Sequence, residues 1–175
     1  LRAIVGDKGL LLRSSIGNLL KIALSGLKAK SVVQNQNDAD SLVDAGIIAA
    51  CDVVLIRGSG VDLKAFSVKP EPAGEPLVIL PARLLWDKGV GEFVEAAVLL
   101  KKEGVKAKFA LVGDSDYENP AAVSQSVIAK WRAAVEVRGS CEDMPEVLSG
   151  CHIVCLPSYR EGLPKALLEA AAAGR

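Results

Sequence analysis

The feature that most constrains this chain is a repeated alternation of short apolar runs with segments of helical period. Residues 77–82, 107–113, 134–139 and 153–156 are runs dominated by Val, Leu, Ile and Ala. Helical patterns fill the intervals: 90–102, a stretch that follows the Asn119 and Pro120 turn and runs to Trp131, the short 144–148, and finally 164–173. Runs apolar at every position suit strands covered on both faces, and strands joined through helices lie parallel. The expected architecture is therefore α/β, a doubly wound parallel sheet.

The part before residue 67 carries the same alternation in weaker form. Apolar residues recur with helical period over 10–30, from Leu11 through Ile16, Leu19, Leu20 and Leu24 to Leu27. A short strand at 31–34 precedes the turn and cap chemistry of residues 35–40, a second helix to about Ala45, and Gly46 as its stop. Residues 51–56 read as another strand. Three prolines and a glycine then fall within 67–76 without periodicity, the composition of a semi-extended interdomain linker. The expected division is 1–66, the end of one Rossmann-like domain; 67–76, linker; and 77–175, a second Rossmann-like domain.

Composition narrows the function. Half of the residues are hydrophobic, enough for a packed core. With 21 basic and 21 acidic side chains, the chain lacks the positive surplus of a nucleic-acid binder. No apolar run approaches the ~20 residues of a membrane span, and Asp7, Lys8 and Arg13 interrupt any leader-like core. Starting at Leu1 and closing on a helical Ala-rich stretch without a following strand, the sequence reads as a piece of a longer protein. Cys51, Cys141, Cys151 and Cys155 have no framework spacing and read as reduced, intracellular thiols. Cys151 and Cys155 flank a strand-like run with no second ligand pair, so they are expected in the core rather than on a metal, with His152 at a strand edge.

Open α/β sheets take ligands outside the carboxyl ends of their strands. Arg83 and Lys88 follow the first strand of the second part, Gly113, Asp114 and Asp116 the second, Gly139 and Ser140 the third, and Glu161 and Gly162 the fourth. Asp114 and Asp116 read as ordinary loop polarity. Pro164 suits the first turn of a helix and leaves the amides of Gly162, Leu163 and Lys165 at its positive end, a place for a diphosphate. Glu161 precedes that helix and Glu169 lies about two turns on, ~12 Å along the axis, so two carboxylates can take hydroxyls at both ends of one ligand. Arg83 and Lys88 supply the positive charge a diphosphate needs. Nucleotide-binding glycine loops, zinc-protease motifs, nucleophile elbows and kinase signatures are absent, and His152 is the only histidine.

Three segments, LPARLLWDKG at 80–89, ALVGD at 110–114 and LPSYREGLPK at 156–165 with Glu169, resemble the family-4 retaining glycosyltransferases of GT-B fold. The likeness is to bacterial members that build O-antigen, capsule or lipid-linked oligosaccharides. IRGSGVD at 56–62 is similar to the segment where that family's chain passes between its two domains. The resemblance implies catalytic roles for Glu161, on donor-sugar hydroxyls, and for Arg83 and Lys88, on the diphosphate. It implies that Glu169 takes the ribose hydroxyls, that Gly162, Leu163 and Pro164 frame the sugar or phosphate end, and that Gly139 and Ser140 lie near the base. It further implies a nucleoside diphosphate sugar donor, UDP-linked, a saccharide or lipid-linked acceptor, no bound metal or other cofactor, and a cytoplasmic protein associated peripherally with the membrane. The acceptor-side glycine-rich loop and histidine of that family have no counterpart here, so the chain is expected to carry a donor site and little of an acceptor site. Two alternatives stay open: a non-catalytic nucleotide- or sugar-binding module, and a nucleotide-sugar 2-epimerase of the same fold.

Overall fold

The computed structural model describes residues 7–24, 30–58 and 60–175, and the chain divides into two compact units between residues 59 and 60. In the first unit, helix α1 (Asp7–Leu24) is followed by strand β1 (Ser31–Val33), helix α2 (Gln36–Asp44) and strand β2 (Val53–Leu55). The rest of the helical pattern expected over 10–30 falls partly on residues 25–29, outside the described residues. Asn35 starts α2 from extended backbone, its Oδ1 accepting the Asp38 amide at 2.8 Å, a cap worth about 1 kcal/mol. β1 and β2 pair in parallel, Ser31 opposite Val53 and Val33 opposite Leu55. The strand expected over 51–56 is shorter because Ala50–Asp52 form a 3-10 turn. Lys30 holds that turn, its Nζ bonding the Cys51 carbonyl and Asp52 Oδ1, both at 2.8 Å.

The second unit is built on β3 (Leu77–Pro81), β4 (Lys108–Val112), β5 (Glu136–Val137) and β6 (Ile153–Val154), all parallel, in the order β5-β4-β3-β6. Helices α3 (Val90–Lys102), α4 (Gln125–Trp131), α5 (Met144–Ser149) and α6 (Lys165–Ala172) connect and cover the strands. Period-two alternation sorts the side chains. Leu80, Phe109 and Leu111 face a cluster with Val90, Phe93, Val94 and Ala97 of α3 and Ile128 of α4. Leu77, Ile79, Ala110 and Val112 face the opposite cluster, with Leu148, Cys151, Ala170 and Ala173. The sheet is therefore covered on both sides, as its largely apolar runs required. Burial of each Leu, Ile or Phe contributes about 1.5–3 kcal/mol. β5 and β6 are two residues long, shorter than the runs 134–139 and 153–156 suggested; each pairs with the core of the sheet on one side, and Ile153 is half exposed.

The proline-rich stretch 67–76, expected as an interdomain linker, lies within the second unit and is bonded to it. Phe66 packs on the second cluster. The Arg175 guanidinium donates to the carbonyls of Lys69, Pro70, Leu148 and Ser149 at 3.1–3.2 Å. His152 accepts the Leu77 amide at Nδ1 (3.0 Å), which makes Nε2 the N–H that donates to the Pro72 carbonyl (2.8 Å). Prolines lack amides to join a ladder, so side chains of distant residues secure this stretch through its carbonyls.

Cys51 is exposed, Cys141 and Cys155 are half-buried, and Cys151 is buried; none forms a disulfide. Burial pushes the Cys151 and Cys155 thiols above their ordinary value. Their folded values exceed the unfolded ones, so they leave stability unchanged at neutral pH and reduce it as pH rises beyond about 9, where the unfolded chain ionises first.

Two outcomes are expected. His152→Phe leaves the Leu77 amide and Pro72 carbonyl unpaired and lowers stability by about 1–3 kcal/mol in urea denaturation. In the native protein at pH 8, a thiol reagent modifies Cys51 first and Cys151 last, with mass spectrometry of timed digests giving the order.

Candidate functional site

The sheet order places β6 beside β3 while the chain had been moving outward through β4 and β5, so the direction of winding reverses between β3 and β6. Such a reversal opens a crevice at the carboxyl edge. Two glycines let the loops above it close on one another. Gly113, ending β4 at φ 147°, lies so near the first loop that a Cβ there would stand 2.1 Å from the Ala82 carbonyl oxygen. Gly89, at φ 71°, lies equally close to the Pro157 carbonyl, at 2.1 Å.

A cleft of about 360 Å³ lies over the ends of β3 and β4, with Arg83, Gly113, Asp114, Asp116, Ser140 and Glu169 among its lining residues. Glu169 is the buried charged residue among those described, 8% exposed. Its Oε1 pairs with Lys165 Nζ at 3.2 Å, one turn earlier on α6. A carboxylate offers about four acceptor positions, so capacity remains on the cleft side. Arg83 Nη1 donates to Asp116 Oδ2 at 2.8 Å across the mouth. Both partners are substantially exposed, so this pair adds little to stability. Its effect is to hold the guanidinium at the cleft.

Beside the cleft, at the β3–β6 reversal, Lys88 Nζ donates to Glu161 Oε1 at 2.7 Å, with the two side chains 21% and 24% exposed. The backbone sets this pair up. Lys88 lies in the 3-10 turn Trp86–Lys88, and its neighbour Asp87 accepts both the Tyr159 amide (3.0 Å) and Ser158 Oγ (3.1 Å). Tyr159 Oη also donates to Glu92 in the first turn of α3. That hydrogen bond, and then the charge of Glu92, raise the Tyr159 phenol above its ordinary value.

The predicted residues thus fall into two neighbouring groups. Arg83, Ser140 and Glu169 line the cleft, with Gly139 next to it, its carbonyl accepting the Gly113 amide at 2.7 Å. Lys88 and Glu161 form the pair. Gly162, Leu163 and Pro164 lead from Glu161 into α6, where Pro164 is the N-cap rather than the first helical residue. Arg83 and Lys88, expected to serve one crevice together, are held by different carboxylates. Asp114 and Asp116, read from sequence as loop polarity, line the cleft, as do Cys141 and Met144. Gly113 directly before Asp114 was the available signal, since the residue after a central strand must face the crevice. Tyr159 and Glu92 carried no signal, being 67 residues apart. His152 is engaged with Leu77 and Pro72 and is absent from the lining of the cleft. Among the described residues no group of three His, Cys, Asp or Glu side chains is placed to hold a metal ion, and no helix is long and apolar enough to cross a membrane.

Residues 75–175 match the family model described as glycosyl transferases group 1. The chain belongs to this family. It is 35% identical, over 97% of its own length and 46% of the relative's, to the N,N'-diacetylbacillosaminyl-diphospho-undecaprenol alpha-1,3-N-acetylgalactosaminyltransferase of Campylobacter jejuni. Against the putative colanic acid biosynthesis glycosyltransferase WcaL of Escherichia coli it is 29% identical, over 69% of this chain and 32% of that one. The fold is similar to that of Anabaena Alr3699/HepE, solved with UDP and glucose, at TM-score 0.73 and 17% identity over 93% of this chain and 47% of that chain. The doubly wound α/β fold expected from sequence for a GT-B fragment is therefore present. This group 1 glycosyl transferase chain spans less than half the length of the curated relatives it matches.

Gly89→Ala tests the closeness of the two loops. Left-handed backbone and a Cβ driven into the Pro157 carbonyl are expected to cost about 2–4 kcal/mol in thermal or urea unfolding. A change below about 0.5 kcal/mol would mean that the loops do not lie in contact.

Proposed function

We propose that this chain is the donor-binding part of a retaining glycosyltransferase of the family-4 type. The donor is a UDP-linked N-acetylhexosamine, and the acceptor a lipid-linked saccharide. The observation that carries this reading is the buried carboxylate of Glu169 on a cleft at the carboxyl edge of the sheet. A charge taken out of water must be compensated, and a vicinal diol such as ribose offers two O–H donors to its free acceptor positions. The sugar and acceptor follow from the Campylobacter relative, whose name specifies N-acetylgalactosamine transfer and an undecaprenol-linked saccharide. The UDP in the structure of Alr3699/HepE supports the choice of nucleotide.

In this reading Ser140 and the Gly139 backbone border the base, and Glu169 takes the ribose. Arg83, turning from Asp116, and Lys88 neutralise the diphosphate. The Gly162 and Leu163 amides, at the positive end of α6, add donors for phosphate or sugar oxygens. Glu161 accepts sugar hydroxyls while holding Lys88 toward the leaving group. When the bond from the anomeric carbon to the diphosphate oxygen breaks, negative charge grows on the diphosphate, and fixed cations and amide dipoles stabilise it without reorganising. The acceptor hydroxyl then attacks the same face and loses its proton to the departing phosphate. A lipid-linked acceptor brings this chemistry to a membrane surface, consistent with peripheral association on the cytoplasmic side.

Amide spectra of the chain titrated with UDP, GDP and ADP test the donor site. UDP is expected to shift signals from 113–116, 139–141 and 166–169. Glu169→Gln is expected to weaken UDP about tenfold, the difference between a charge-assisted and a neutral hydrogen bond. UDP affinity unchanged by that substitution would return the chain to the class of generic binding modules.

A further inference from the structure

The loop that carries Glu161 is fastened to the loop that carries Lys88 at several points, only one of which is the Lys88–Glu161 pair itself. Pro157 rests on Gly89, Ser158 Oγ and the Tyr159 amide both reach the Asp87 carbonyl, and Tyr159 Oη donates to Glu92. Lys88 sits between two of these anchors, Asp87 and Gly89, while Glu161 lies two residues beyond Tyr159. Tyr159 is otherwise a poor candidate for a structural role: it is 73% exposed and outside both hydrophobic clusters. Its hydroxyl nevertheless spans to α3, whose N-cap is Gly89. Backbone and side chain of one residue thus bind the two ends of the segment 87–92, and Lys88 lies within it.

We propose that Tyr159 and Glu92 are positioning residues. They strap the 157–161 loop to α3, fix Glu161 relative to Lys88, and so set how strongly the site prefers a sugar-bearing nucleotide to the bare nucleoside diphosphate. The inference rests on the reading of Glu161 as the contact to donor-sugar hydroxyls. The strap leaves Glu169, Ser140 and Arg83 untouched, because those residues lie on the cleft over β3 and β4. Lys88 is placed on the diphosphate by its own 3-10 turn, Trp86–Lys88, so loss of the strap acts on Glu161 at the sugar end and spares the diphosphate and nucleotide contacts that UDP shares. The strap itself is a hydrogen bond from a phenol to a carboxylate. Replacing Glu92 by Gln keeps an acceptor, whereas Ala removes it.

The experiment compares affinities for UDP-N-acetylgalactosamine and UDP by calorimetry on the full chain. The variants are Tyr159→Phe, Glu92→Ala, Glu92→Gln, the Tyr159→Phe/Glu92→Ala double and, as reference, Glu161→Gln. Tyr159→Phe and Glu92→Ala are each expected to reduce the preference for the sugar nucleotide about three- to tenfold. UDP affinity stays within about twofold, Glu92→Gln retains most of the preference, and the double variant loses no more than either single one. Hydrogen exchange at the Tyr159 amide, bonded to Asp87, is expected to quicken in both single variants whichever nucleotide binds. A preference that survives Tyr159→Phe and Glu92→Ala but collapses in Glu161→Gln overturns the strap and leaves the Glu161 reading standing. Equal losses for UDP and the sugar nucleotide also overturn it, since that is the result of a merely structural role. Unchanged preference in Glu161→Gln overturns the reading of Glu161 itself, and the consequence for sugar selection falls with it.

Discussion

The second unit depends on one strand, β3, which is paired on both edges and covered on both faces. Leu80 and Ile79 are fully buried on opposite sides, and the register from Leu77–Lys108 to Pro81–Val112 carries the ladder to the end of the strand. Because β4 leaves on one side and β6 returns on the other, the loop after β3 borders both the cleft and the Lys88–Glu161 pair. A strand fixed by hydrogen bonds and packing cannot slide by one residue without exchanging its two faces. Arg83 and Lys88 thus issue from the best-determined position in the unit, and the precision of the site follows from the core beneath it.

Electrostatics divides the site in two. At the cleft mouth, Arg83 and Asp116 are exposed, their attraction is weak in water, and the guanidinium can exchange one anionic partner for another at little cost. Its planar fork keeps donors beyond the one used on Asp116. Lys88 and Glu161 are roughly four-fifths buried and anchored by their own backbone neighbours. Removing either leaves a partly desolvated charge, so this pair is costly to break. In the proposed donor reading, an adjustable cation, Arg83, and a fixed one, Lys88, serve the diphosphate, and the carboxylate that holds Lys88 faces the sugar hydroxyls.

Much of this was legible in the sequence, for identifiable reasons. α3 was readable to the residue because Val90, Phe93, Val94 and Ala97 recur at helical spacing and Lys101 and Lys102 close its last turn. β3 and β4 were readable because central parallel strands are near-continuous apolar runs, broken here only by Lys108 at the exposed start of β4. β5 and β6 were overextended because apolarity reports burial while strand assignment needs a paired neighbour, and their later residues turn into site loops. The stretch 67–76 looked like a linker because prolines suppress every local periodicity. What fixes it comes from Arg175 and His152, about 80 or more residues away, and no local pattern could carry that. Arg83, Lys88, Glu161 and Glu169 could be placed at the strand ends from sequence, but their division into a cleft group and a Lys88–Glu161 pair could not, since opposite charges in sequence do not state which will meet.

The same distinction explains why Tyr159 escaped notice while Glu161 did not. Glu161 precedes a helix start and stands eight residues from Glu169, a local spacing with chemical meaning. Tyr159 matters through Asp87 and Glu92, contacts that exist only because β6 lies beside β3. In a doubly wound sheet the reversal of strand order brings together loops that are far apart in the chain, and residues acting there are defined by the topology rather than by their neighbours. Gly89 shows the cost of that closeness: the loop that carries Glu161 approaches so nearly that the position admits no side chain. Strand order, one glycine and a phenol therefore act as one device, which holds a carboxylate where the sheet alone would leave it on a free loop.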